Sequence, residues 1–257
     1  MNQCVYEKKM PLVSIITATY NSERFVLDTY NSIANQTYKN WEWLVTDDCS
    51  KDNTVELLKK LSVVDNRIKL YKNETNSGAA VSRNKCLENC KGDYIAFLDS
   101  DDIWMPDKIE KQLSFMGENI DFSFTGFEIM DENGICSGHL IDASPIRPLT
   151  YYDMLKKCAT LGCSTVMLRA RAFEKIEMPL LRTGQDYATW LALLKEGKKA
   201  YLIPETLTKY RIVKNSISRN KFKKACRQWE IYRRVEGINI IMTFYYFAHY
   251  AIKAMVR

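Results

Sequence analysis

Tyr94-Ile95-Ala96-Phe97-Leu98-Asp99-Ser100-Asp101-Asp102 sets five apolar residues directly before three carboxylates. The apolar run is too short for a helix and reads as a buried strand. The carboxylates then fall at its C-terminal end, the edge of an open α/β sheet where ligands bind. Three like charges at one strand tip repel each other, so folding alone does not favour them. A hard cation among them reverses the balance, because Mg2+ and Mn2+ take oxygen ligands and bridge to substrate phosphates. The plainer reading is an acidic turn in which Asp102 caps a helix near Pro106.

Working back from this stretch, strand and helix alternate. Leu12–Thr19 is rich in β-branched residues and predicts a buried strand. Tyr20-Asn21-Ser22 ends it, with Ser22 placed to cap a helix running to about Asn35. Trp41–Thr46 predicts a second strand that ends in Asp47-Asp48-Cys49-Ser50, and Asp52 or Asn53 caps the helix beyond it. Ile68–Tyr71 is a third strand, Asn76-Ser77-Gly78 a turn, and Ala79–Asn89 a helix closed by Gly92. This alternation predicts a Rossmann-like, mostly parallel sheet with helices on both faces. Right-handed crossovers put the strand tips on one edge. Tyr20, Asp48 and Asp99–Asp102 should therefore converge.

Forward from it, Pro106–Met116 predicts a helix, Ile120–Met130 a strand, and Asp131-Glu132-Asn133-Gly134 a hairpin turn into a strand over Ile135–Ile141. Tyr151–Lys157 is a short helix, Ser164–Leu168 a strand, and Ala200–Ile203 the last strand. Between these, Gly184 permits a sharp turn. Asp186 is thereby presented near the start of the helix Tyr187–Lys195, where the helix dipole favours a carboxylate.

The chain has 257 residues, 46% hydrophobic and 26% charged, which suits one large α/β domain with an appendage. Its net charge of +6 is carried entirely by the segment from Lys221 to Arg257, which has eight basic residues against Glu230 and Glu236. Charge confined to one end argues against a nucleic-acid groove and for a surface that meets anionic lipid. Ile238–Val256 is apolar and aromatic but interrupted by Asn239, His249 and Lys253, so it suits an interfacial helix better than a spanning one. Packing against the domain is the alternative. The cysteines lack paired motifs with nearby histidines, so zinc is not expected. Met1–Met10 is polar and charged with no apolar core of a signal peptide, which predicts reduced thiols and a cytoplasmic compartment. The expected organisation is a leader over 1–11, the α/β domain over 12–220 and basic amphipathic helices over 221–257.

Four stretches taken together carry a family resemblance: Val13-Ser14-Ile15-Ile16-Thr17-Ala18-Thr19-Tyr20-Asn21, Val45-Thr46-Asp47-Asp48-Cys49-Ser50, Ser77-Gly78-Ala79-Ala80-Val81-Ser82-Arg83-Asn84 and Phe97-Leu98-Asp99-Ser100-Asp101-Asp102. In order and spacing they resemble the family 2 glycosyltransferases of the GT-A fold. Gly184-Gln185-Asp186-Tyr187 with Trp190 looks like that family's downstream acidic motif. The whole chain is most similar to bacterial teichuronic acid and capsular polysaccharide glycosyltransferases. The resemblance implies an inverting transfer of sugar from a nucleotide-sugar donor, a UDP-sugar, to a hydroxyl of a lipid-linked glycan at the inner face of the cytoplasmic membrane. It implies Tyr20 lining the base pocket, Asp48 accepting the base N–H, Arg83 contacting the donor and Asp99 near the ribose. Asp101 would hold Mg2+ or Mn2+ on the diphosphate, and Asp186 would be the general base. Gln185 stands where the family often has an acid, as does Ala188, which weakens any role for those two positions.

Residue chemistry agrees with this reading. A sugar hydroxyl is a weak nucleophile that a positioned carboxylate activates, and a metal stabilises the departing diphosphate. A dehydrogenase is disfavoured because no Gly-x-Gly-x-x-Gly follows the first strand. The competing readings are a nucleotidyltransferase and a non-catalytic nucleotide-sugar binding module.

Overall fold

The computed structural model describes residues 10–213 and 221–256. Most of the expected leader and the proposed boundary at residue 220 lie outside the described residues. Strands β1 (Val13–Thr19), β2 (Trp41–Asp47), β3 (Ile68–Lys72) and β4 (Tyr94–Phe97) form a parallel half-sheet in the order β3-β2-β1-β4. Helices α1 (Val26–Ala34), α2 (Thr54–Val64) and α3 (Ala79–Asn89) connect them. The remaining strands are β5 (Ile103–Trp104), β6 (Phe122–Met130), β7 (Cys136–Ile141), β8 (Met167–Arg169) and β9 (Tyr201–Arg211). They extend the sheet as β4-β8-β6-β9-β5, with β7 beside β6 and with mixed strand directions.

The period of two along β1 divides the core. Val13 and Ile15 join one apolar layer with Val26, Ile33, Leu58 and Ile109, while Ile16 joins the other with Phe97, Trp190 and Leu191. The first layer lies beneath α1, α2 and α4 (Lys108–Met116). The second lies beneath α3, α5 (Tyr151–Leu155) and α6 (Gln185–Lys195).

Three sequence expectations change. The last strand does not stop at Ile203. Pro204 and Glu205 fall in a register shift where Thr125 pairs Ile203 and Gly126 pairs Thr206. A proline with no N–H is accommodated in such a bulge, and β9 runs on to Arg211. Ser164 does not begin a strand. Cys163–Thr165 is a 3-10 turn in which the Thr165 hydroxyl and N–H both donate to the Gly162 carbonyl, a local bond that replaces the ladder. Ser22 does not cap α1 with its side chain. Its hydroxyl meets that of Ser100 at 2.8 Å, so it ties the tip of β1 to the tip of β4.

The C-terminal helices, α7 (Lys221–Glu230) and α8 (Ile240–Val256) with a π-helical turn over Ile231–Val235 between them, dock on the domain. Ile231, Tyr232 and Tyr246 are buried in the second layer, and the Tyr232 hydroxyl donates to the Leu155 carbonyl at 2.6 Å. The opposite face of α8 stays open: Ile241, Phe244, Tyr245 and Ile252 are all exposed. Packing against the domain therefore holds for the face of α8 that carries Tyr246. Among the described residues no helix is long and apolar enough to cross a membrane.

Candidate active site

The β1, β2 and β4 tips converge as their parallel register requires. Tyr20, just past β1, is 47% exposed and presents its ring to solvent. Asp48 is buried past the end of β2. Its carboxylate accepts from Asn73 Nδ2 at 2.8 Å, Ser77 N at 2.8 Å and Gly78 N at 2.7 Å. It therefore fastens the start of α3 to the sheet edge and keeps about one of its roughly four acceptor positions. Gly78 has φ +93°, a conformation that disfavours any side chain here and exposes the amides Asp48 reads.

From α3, Arg83 and Asn84 reach across the site. Asn84 exchanges two 2.8 Å hydrogen bonds with the backbone of Met178, which steers the segment leading to Asp186. The Arg83 guanidinium is buried and donates from Nη2 to Asp99 Oδ1. Burial opposes its charge, but the facing Cys163, Asp99 and Asp186 outweigh that and raise its pKa. Its Nε is buried without a hydrogen-bond partner among the described residues, an unmet donor of the kind a diphosphate oxygen satisfies.

The acidic tip differs from three carboxylates around one ion. Asp102 turns inward and is fully buried. Ser164 Oγ donates to its Oδ2 at 2.5 Å, and Arg211 N to its Oδ1 at 2.8 Å. Ser164 Oγ also accepts from Asp99 N at 3.0 Å, and Arg211 Nε donates to the Asp101 carbonyl at 2.7 Å. Asp99 is held by Arg83. The backbone of the tip is thus braced on both sides of Asp101. Burial, then the charge of Asp99, pushes the half-buried Asp101 carboxyl up to about 7. Among the described residues no group of three metal-ligating side chains forms a cage. The donor set instead fits a divalent cation that takes Asp101 from the protein and the rest of its oxygens from a diphosphate and water, as Mg2+ commonly does.

Asp186 enters from the other side on the first turn of α6. Gly184 before it has φ +73°, and a Cβ there would lie 3.1 Å from Ile231 Cδ1. Four residues on, Trp190 is buried edge-on against Phe97 at 5.3 Å and Phe122 at 5.6 Å, fixing the helix of Asp186 to the strand of Asp99. Such pairs contribute about 0.5–1.5 kcal/mol each. Burial raises the Asp186 pKa. The Tyr187 N–H and Arg83 oppose this, Asp99 adds to it, and Lys157 opposes it, with the net still upward. A carboxylate so tuned is a stronger base near neutral pH. Gln185 is buried with Oε1 unpartnered among the described residues, and Ala188 is buried in the core.

Sequence reasoning missed Ser164 and Arg211 as parts of the site. Neither stands in a motif, and both act through Asp102 from distant elements, a 3-10 turn and the end of β9.

Comparison with known proteins accords with this geometry. Residues 14–176 match the family described as Glycosyl transferase family 2. The chain is 46% identical to the putative teichuronic acid biosynthesis glycosyltransferase TuaG of Bacillus subtilis, over 96% of this chain and 97% of that protein. It is 41% identical to the Escherichia coli UDP-Glc:alpha-D-GlcNAc-diphosphoundecaprenol beta-1,3-glucosyltransferase WfgD, over 86% of this chain and 85% of that one. The crystal structure of S. aureus TarS 1-349 in complex with UDP-GlcNAc superposes with a TM-score of 0.71 at 22% identity, covering 87% of this chain and 65% of TarS 1-349. The chain belongs to glycosyl transferase family 2 and is a glycosyltransferase of the GT-A fold.

Proposed function

We propose that this enzyme transfers a sugar from a UDP-sugar to a hydroxyl of a lipid-linked glycan, with inversion, in the building of a cell-surface polysaccharide. The observation that carries the reading is the meeting of Asp101, Arg83 and Asp186, from three separate elements, at one sheet edge. The similarity to TuaG and WfgD supports the acceptor class, and the UDP-GlcNAc bound to TarS supports the donor class.

In this mechanism Tyr20 stacks on the base and Asp48 accepts its N–H with its remaining acceptor position. Asp99 lies by the ribose, and Arg83 Nε donates to the diphosphate. Mg2+ or Mn2+ on Asp101 supplies charge stabilisation to the departing diphosphate. Asp186 removes the proton of the acceptor hydroxyl as that oxygen attacks the anomeric carbon from the face opposite the leaving group. A single in-line displacement inverts the centre and leaves no covalent intermediate. Mass action in this scheme requires both substrates at once, whereas a binding module would give no product.

The setting in this proposal is the inner face of the cytoplasmic membrane. Support comes from the open apolar stripe of α8 and from the exposed Arg233, Arg234 and Lys253 in the same C-terminal segment, a composition that fits an anionic bilayer surface.

The test is a panel of UDP-, GDP- and TDP-sugars offered with Mn2+ or Mg2+ to the enzyme and a lipid-linked sugar diphosphate, with the product's anomeric configuration read by NMR. Inverted product from a UDP-sugar is expected. Retained configuration, or nucleotidyl transfer in place of sugar transfer, would overturn the reading.

A further inference from the structure

We propose that Lys156 and Lys157 form the subsite for the diphosphate of the lipid-linked acceptor. This assignment rests on the acceptor class proposed above and adds its place on the protein.

The two lysines stand at the C-terminal end of α5. Cys158 N donates to the Asp153 carbonyl at 3.0 Å and Lys157 N to the Met154 carbonyl at 2.9 Å, the two bonds of a Schellman ending. The residue after the C-cap in this ending is usually glycine, because its φ is positive. Here it is Lys157, with φ +57°. A β-carbon in that conformation costs about 1 kcal/mol.

What the lysines lie between gives the ligand. The Lys157 ammonium is 5.1 Å from the ring centroid of Tyr187, the neighbour of Asp186, and it is near enough to lower the Asp186 pKa. The Lys156 ammonium is 5.6 Å from the ring centroid of Tyr245. Tyr245 belongs to the exposed face of α8 with Ile241, Phe244 and Ile252. The order in space is therefore the carboxylate base, then Lys157 beside the ring next to it, then Lys156 beside the open apolar stripe. A lipid-linked sugar has the same order: a hydroxyl to be deprotonated, a diphosphate carrying negative charge, and a hydrocarbon chain. A water-soluble glycan has nothing for the cations or the stripe to meet. In the mechanism proposed above the donor's diphosphate is held at Asp101 and Arg83.

The test uses the full chain and phosphatidylcholine vesicles doped with a polyprenyl diphosphate, a polyprenol or phosphatidylglycerol, with binding read by flotation. The wild type is expected to bind the polyprenyl diphosphate roughly tenfold or more tightly than the polyprenol. K156Q/K157Q should lose that preference, and K156R/K157R should retain it. Binding to phosphatidylglycerol should be equal in the wild type and the Arg pair, and should fall less in the Gln pair than binding to the polyprenyl diphosphate does. A Gln pair that keeps the preference, or that loses phosphatidylglycerol to the same degree, would overturn the assignment, the latter by showing a general lipid patch. Kinetics separate this from the broader reading. If the wild type glycosylates a lipid-linked sugar and the Gln pair does so with unchanged acceptor KM, only the subsite falls. If the wild type glycosylates soluble sugars alone, the lipid acceptor falls with it. Circular dichroism melts of the Arg and Gln pairs establish that both are folded.

Discussion

Ser164 donates its hydroxyl to Asp102 Oδ2 at 2.5 Å in the interior, three residues after the strand tip has turned away from the buried core at Asp99. The Ser164 hydroxyl oxygen in turn accepts the Asp99 N–H at 3.0 Å. Ser164→Ala should leave a buried carboxylate oxygen unpartnered, at a cost of about 1–3 kcal/mol in stability. It should also weaken Mn2+-dependent UDP binding, because the tip loses one of its braces. Thr208→Val is the control: it removes the 3.2 Å bond to the Ser164 carbonyl without touching the tip. Calorimetric titration of Mn2+ and UDP on both variants checks this, and equal affinities in the two would count against a positioning role.

Asp101→Ala is expected to abolish metal-stimulated transfer. Asp101 is the carboxylate of the tip that neither Arg83 nor the Ser164 and Arg211 pair engages through its side chain. Turnover measured across a Mn2+ titration should show no stimulation. Near-normal rates with an intact metal response would reassign the ion.

Asp186→Asn should reduce kcat by roughly two to four decades, the scale of general-base catalysis, with donor affinity preserved. The sign of the pH dependence follows from burial. The base works unprotonated, so kcat falls as pH drops through its pKa. Because the folded environment raises that pKa, the acid limb should lie above the ordinary carboxylate range. A kcat–pH profile of wild type, and its absence in the residual rate of the variant, would establish the assignment.

The capping box of α5 gives a stability test apart from the chemistry. Asp153 Oδ2 accepts from Thr150 N at 2.9 Å and Thr150 Oγ1 at 2.7 Å, and Arg147 reaches both oxygens. Burial alone would raise this carboxyl, but the bonds from Arg147 and Thr150 hold it at about 2. Its folded pKa lies below its unfolded one, so its stabilisation is complete above about pH 4. It should be lost as pH falls toward 2. Thr150→Ala should cost about 1 kcal/mol, read by urea denaturation at pH 7.

For the membrane setting, deletion of the tail is a poor probe, since Ile231, Tyr232 and Tyr246 belong to the core. Ile241→Glu with Ile252→Glu is better, because these side chains are 77% and 55% exposed. The double variant should melt like wild type and fail to float with anionic vesicles. Unchanged flotation would place the contact elsewhere.

The sequence made the sheet edge legible because parallel strands carry their tips to one side regardless of loop length. Tyr20, Asp48 and Asp99 were placed by that rule alone. Asp102 was not, since an Asp beside two others looks the same whether it faces solvent or turns to Ser164. Trp190 was legible as an apolar position on α6, but not as the contact that joins Asp186 to Phe97. Strand β9 was cut short at Pro204 because a proline's missing donor is harmless only where the partner strand supplies a bulge, and that lies in Thr125 and Gly126. The exposed stripe of α8 resembled its buried stripe in composition, and only packing separates Tyr246 from Tyr245.

Arg211 meets Asp102 across a sequence separation of 109 residues. The chemistry-bearing tip is encoded before the middle of the chain, yet its brace arrives with the last strand. During synthesis the first four strands can pair as soon as they emerge, but Asp102 has no second partner until residue 211 has left the ribosome. A nascent chain therefore carries an unfinished acidic edge for nearly half its translation, and the braced edge is a late product of folding rather than an early one.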